Sequence, residues 1–90
     1  MSQCLKIHVR GDSSKEVTAF IARYATKYGL EGLVQMQQGQ GYIVACGVKG
    51  NLDHFLDALH HGEKQVKLSG ISVEPIFKSK DYRGVFRVIE

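Results

Sequence analysis

Ninety residues, 43% of them hydrophobic, suffice for one domain around one modest core, and a single proline with 23% charged residues argues against disorder. A formal charge of +3 suits a small anion or an acidic partner but is too weak to argue nucleic acid by itself. No apolar run approaches the roughly 18 residues of a membrane span, and the first residues lack a signal-peptide pattern, so the sequence predicts a cytoplasmic protein with no membrane contact.

Residues 4–10 alternate at period two, with Leu5, Ile7 and Val9 on one side and Cys4, Lys6, His8 and Arg10 on the other, as in a half-buried strand. Asp12, Ser13 and Ser14 are good N-caps, and Ser13 with Glu16 reads as a capping box. Val17, Phe20, Ile21, Tyr24, Ala25 and Tyr28 recur at helical spacing, which predicts a helix over 14–28 with Gly29 as its C-cap. A second strand follows over 31–38 with Val34 and Met36 inward, then a hairpin turn at Gly39-Gln40-Gly41. The third strand, 42–48, is read with Tyr42, Val44, Cys46 and Val48 facing the core and Ile43 and Ala45 outward. Cys46 then points in and Cys4 out. The two cysteines form no metal motif and are expected as free thiols, which fits a reducing compartment.

Gly50 breaks this strand and Asn51 is the expected cap of a second helix, with Leu52, Phe55, Leu56 and Leu59 as its buried stripe and Gly62 as its end. Residues 63–65 form a polar connector. A strand over 66–73 is interrupted by Gly70, and Pro75 argues for an end or an edge there. Residues 78–84 read as a polar loop and 85–89 as a short last strand. The order is β-α-β-β-α-β plus a terminal strand: an α+β, ferredoxin-like sandwich forming one domain over 1–90, with both helices on one sheet face and the other face open.

With that order, the chain resembles the acylphosphatase family over nearly its whole length. Val9 and Gly11 match the start of the family's phosphate loop, V-x-G-x-V-Q-G-V-x-F-R. Ala25, Gly29, Leu30, Gly32 and Val34 match A-x-x-x-G-L-x-G-W-V, with Leu33 in place of the tryptophan. Gly50, the helix carrying Phe55, Leu56 and Leu59, and Gly62 match the second half. The resemblance implies hydrolysis of the carboxyl-phosphate bond of acyl phosphates, an arginine at the loop end that holds the phosphate and an asparagine that positions the attacking water. Here the arginine position falls on Thr18 counting back from Ala25, or on Ala19 counting forward from Gly11, and the asparagine position falls on Met36. Threonine lacks the charged, bidentate fork of arginine, and methionine cannot orient water. Losses of this kind cost about 10²–10³-fold each.

The turn Arg10-Gly11-Asp12-Ser13-Ser14-Lys15 is the candidate anion site, because free backbone N–H groups at a helix N-terminus favour negative charge. Arg10 and Lys15 favour an anion there and Asp12 and Glu16 oppose it; the plain alternative is a helix cap with solvated charges. Lys6, His8, Arg10, Gln35 and Gln37 are placed on the open face, either an ordinary polar surface or a binding surface. With Ile43 and Ala45 as the outward residues of the third strand, no aromatic lies among them, which argues against RNA. His54, His60 and His61 diverge on their helix and read as a solvated helix end without a metal. Asp12 with Glu16 lacks a partner nucleophile, and Tyr24 and Tyr28 read as core. Residues 78–83 are basic and read as an exposed loop that could meet an acidic partner.

The sequence therefore leads to an acylphosphatase-like domain without its catalytic pair, a module for a small anion, a phosphate-bearing molecule or a protein, monomeric and without cofactor. Two alternatives stay open. One is a divergent acylphosphatase in which Arg10 or Lys15 supplies the charge. The other is a structural domain that pairs with another chain through its open sheet or an edge strand.

Overall fold

In the computed structural model, which describes every residue except 1, 12–14, 64–65, 79 and 90, the elements are β1 (Ser2–Gly11), α1 (Lys15–Lys27), β2 (Glu31–Gln37), β3 (Gln40–Val48), α2 (Lys49–His61), β4 (Leu68–Ile76) and β5 (Phe86–Ile89). They build one five-stranded sheet in the order β4-β1-β3-β2-β5. The first four strands pair antiparallel and β5 lies parallel to β2, so the sheet is mixed and the fold is the expected ferredoxin-like sandwich.

The main core lies between the sheet and the two helices. Ile7, Val9 and Val34 come up from the sheet to meet Phe20 and Ile21 of α1 and Leu52, Phe55 and Leu59 of α2, all buried. Helix α1 ends as its sequence dictates. Gly29 takes φ 67°, its N–H donates to the Thr26 carbonyl at 3.0 Å, and the Leu30 N–H donates to the Ala25 carbonyl at 2.9 Å. This is a Schellman stop, and Leu30 and Ala25 close it with buried apolar side chains. Two residues on, Gly32 sits at φ 142°, where a Cβ would lie 1.8 Å from the Val44 carbonyl oxygen.

Four local expectations are corrected. Strand β3 has the opposite phase: Ile43 and Ala45 are fully buried in the main core, whereas Tyr42, Val44 and Cys46 lie on the open side. Residues 42–46 are apolar on both sides, so alternation carries no phase. Pairing supplies it, because directly opposed residues share a face. Ile7 stands opposite Ile43, and Val34 opposite the same residue on the other flank.

The second correction follows from the first. Cys4 stands opposite Cys46 on the open side, and the two form a disulfide. The expectation of free thiols fails, and with it the argument from thiols to a reducing compartment. The third concerns Asn51. Helix α2 begins at Lys49 with Val48 as its N-cap and no side-chain cap bond, because β3 runs into the helix without a loop. Asn51 sits inside the first turn, and Lys49 instead reaches Asp53 one turn on, Nζ to carboxylate 2.8 Å. That hydrogen bond, helped by the charge of Asp53, raises the Lys49 pKa above the ordinary lysine value.

Last, strand and turn boundaries shift. The hairpin turn is Gln38-Gly39, with φ 55° and 83°, the paired positive values of a two-residue turn. Val66 makes only an isolated bridge with Glu63, and β4 runs from Leu68 through Pro75 to Ile76. Pro75 is accommodated because β4 is an edge strand, as expected.

Candidate functional site

The β1–α1 turn begins at Gly11, where the β1–β4 register shifts. The Gly11 N–H donates to the Gly39 carbonyl at 2.9 Å, tying the turn to the β2–β3 hairpin. A Cβ on Gly11 would lie 2.9 Å from a Leu68 methyl, so the chain is held close to β4 there. Lys15 opens α1 and is exposed, as is Glu16. Asp12, Ser13 and Ser14, with the proposed capping box, lie outside the described residues. Arg10 leaves the turn on the open side of the sheet. Its aliphatic stem lies against Gly70, about 3.8 Å from where a Cβ on that residue would be, and its carbonyl accepts the Ser69 hydroxyl at 3.3 Å.

The open face carries Lys6, His8, Arg10, Gln35 and Gln37 as expected, and Tyr42 in addition. His8, Arg10, Gln35, Gln37 and Tyr42 line a shallow groove of about 730 Å³ across β4, β1, β3 and β2. The sequence reading missed Tyr42 because it set β3 in the wrong phase. The missing signal was the hairpin: a two-residue turn at Gln38-Gly39 pairs Val34 with Ile43, so an inward Val34 forces Ile43 inward and Tyr42 outward.

Above the groove, the disulfide is covered by Leu33, Tyr42, Ile76 and Tyr82. Glu31 accepts the Tyr82 N–H at 3.1 Å and Lys78 at 3.3 Å, so these two residues of the basic loop are tied to β2. Tyr24 and Tyr28 are partly buried against the main core, as expected. His54 packs on Tyr28 with ring centroids 5.6 Å apart, and among the described residues no three His, Cys, Asp or Glu side chains converge as a metal site. Among those residues no helix is long and apolar enough to cross a membrane.

A model of the acylphosphatase family matches residues 5–88. The chain belongs to the acylphosphatase family. Among solved structures it is similar to an acylphosphatase from Coxiella burnetii, at 26% identity over 98% of this chain and 93% of that one, with a TM-score of 0.86. It is also similar to the acylphosphatase from Bacillus subtilis, at 26% identity over 100% of both chains, TM-score 0.85. Full-length HypF shares the fold at 21% identity and TM-score 0.86, with this chain spanning 12% of that protein. A comparison with curated proteins found no match.

In this acylphosphatase domain the motif Ala25-Thr26-Lys27-Tyr28-Gly29-Leu30-Glu31-Gly32 serves the backbone: it stops α1 and lets β2 approach β3. The positions that the motif spacing assigns to the catalytic pair are different in kind. The Thr18 hydroxyl donates back to the Lys15 carbonyl at 3.2 Å, within the first turn of α1. Met36 is partly buried against the main core. Ala19 is exposed on α1 and carries no polar group. The guanidinium next along the helix, Arg23, is bonded to the Glu63 carboxylate, which also accepts the Tyr24 hydroxyl at 3.2 Å.

Proposed function

We propose that this acylphosphatase domain is catalytically degenerate and acts as a binding module for a small phosphate-bearing ligand at the β1–α1 turn. The observation that carries the reading is the pair Thr18 and Met36, one with its hydroxyl turned to the helix backbone and the other packed into the core. Acyl phosphate hydrolysis requires preorganised charge at the phosphoryl oxygens and an oriented water. Neither side chain supplies these. The strand–turn–helix frame nevertheless persists, with Gly11 close against β4 and Lys15 exposed at the start of the helix. Lys15 provides a cationic flank and the first amides of α1 provide donors for an anion, while Arg10 runs out along Gly70 on the open side.

Titration of the labelled protein with inorganic phosphate, followed by amide NMR, tests the binding role. Saturable shifts confined to residues 11–16 are expected. Absence of shifts up to tens of millimolar phosphate would overturn it.

A further inference from the structure

We propose that the open face of the sheet binds single-stranded nucleic acid, one base stacking on Tyr42 and the neighbouring phosphates lying against Lys6, Arg10 and Arg87. Tyr42 and His8 stand directly opposite each other on the two central strands, both facing outward. Tyr42 packs partly against Val44 and the disulfide, and the rest of its ring offers a stacking surface; single strands are recognised by aromatic stacking with hydrogen bonds to splayed-out base edges. Gln35 stands beside Tyr42 on β2, and Gln37 and Gln40 form the next row. Their amides both donate and accept, as base edges require.

Charge is placed to match. On the helical side Lys15, Arg23, Lys27 and Lys49 are balanced by Glu16, Asp53, Asp57 and Glu63. Among the described residues of the open face, Lys6, Arg10 and Arg87 lie with two carboxylates, Glu74, which sits 3.4 Å from His8, and Asp81, which lines the pocket beside Arg87 and accepts the Arg83 N–H at 2.8 Å. Lys6 Nζ lies over the Tyr42 ring, 4.9 Å from its centre, so a base stacking on that face must displace it and leave its ammonium to meet a phosphate. Beside Leu33, at the β5 side, a separate pocket of about 230 Å³ is lined by Arg87, Lys80, Arg83 and Asp81. From β1 to β5 is three strand spacings, roughly 14 Å, room for about two or three nucleotides. Gly70 keeps the floor low beside Arg10. Outside the apolar patch over the disulfide, this surface is cationic and rich in side-chain amides, which favours a polyanion with π-faces over a protein partner.

The test is fluorescence anisotropy of labelled octauridylate and octadeoxythymidylate, and of a duplex of equal length, titrated with the full chain at low salt. Both single strands are expected to saturate and the duplex is not; preference for the RNA would add a 2′-hydroxyl contact. Tyr42→Leu should weaken binding by about 5- to 150-fold, and Tyr42→Phe, which keeps the ring, should change it by less than about twofold. Three neutralised phosphates predict a slope of log K against log salt near −2, reduced in magnitude by about 0.7 in Arg87→Gln. Absence of saturation, equal binding of the duplex, equal competition by polyglutamate, or a Tyr42→Leu variant that binds as well as the parent would each overturn the proposal. If Tyr42→Leu does not fold, an unchanged salt slope in both Arg10→Gln and Arg87→Gln would do the same.

Discussion

Reducing the Cys4–Cys46 disulfide should lower the melting temperature sharply. The bond joins residues separated by 42 positions, across the pair of strands that carries the sheet's centre. Closing a loop of that size in the unfolded chain removes entropy worth about 4 kcal/mol at 25 °C. For a domain of this length, each kcal/mol corresponds to about 4–8 °C in Tm, so the expected loss is about 15–30 °C. The sulfurs lie under Leu33, Ile76 and Tyr82, and Cys4 and Cys46 are 4% and 2% exposed. A mild reductant should therefore act slowly on the native protein and fast in denaturant. Circular dichroism melts with and without reductant, beside a Cys4→Ala/Cys46→Ala double variant, measure the effect. A Tm change of less than a few degrees, or two thiols titrating in the native protein without reductant, would refute the reasoning.

Four further outcomes follow from particular residues. Phe55 is fully buried between α2 and the sheet, so Phe55→Ala should cost about 3–5 kcal/mol in urea unfolding. Gly32→Ala should cost about 3 kcal/mol or more, because its Cβ would meet the Val44 carbonyl oxygen at 1.8 Å. Gly84→Ala, at φ 70° with nothing within 4 Å, should cost only about 1 kcal/mol of backbone strain. Asp53→Asn should return the Lys49 pKa downward to the ordinary lysine range, read by side-chain NMR. Because that pKa is raised in the fold, the contribution of the pair is present below the unfolded lysine value and fades as pH rises through the folded one.

The elements were legible where one face differs chemically from the other. Helix α1 shows a clean stripe and an explicit glycine stop, and β1 alternates apolar with polar, so both were read correctly with their phases. Strand β3 defeats that logic because Tyr42-Ile43-Val44-Ala45-Cys46 is apolar on both sides; its orientation is a property of pairing with Ile7 and Val34. One inverted phase then produced two errors, separated cysteines and an open face without an aromatic. Asn51 misled for a different reason: a good cap residue is not used when the strand passes straight into the helix. Of the site, the assignment of the catalytic pair's positions to Thr18 and Met36 comes from motif spacing in the sequence alone. The Arg23–Glu63 pair was not visible, because 40 residues separate its partners and only the fold brings them together.

The most direct test of the central claim is hydrolysis of acetyl phosphate by the purified, oxidised protein. With Thr18 and Met36 at the motif positions of the catalytic pair, no turnover above the spontaneous rate is predicted. Turnover near a typical enzymatic rate of about 10 s⁻¹ would contradict the account and place the family's chemistry on other residues of this chain.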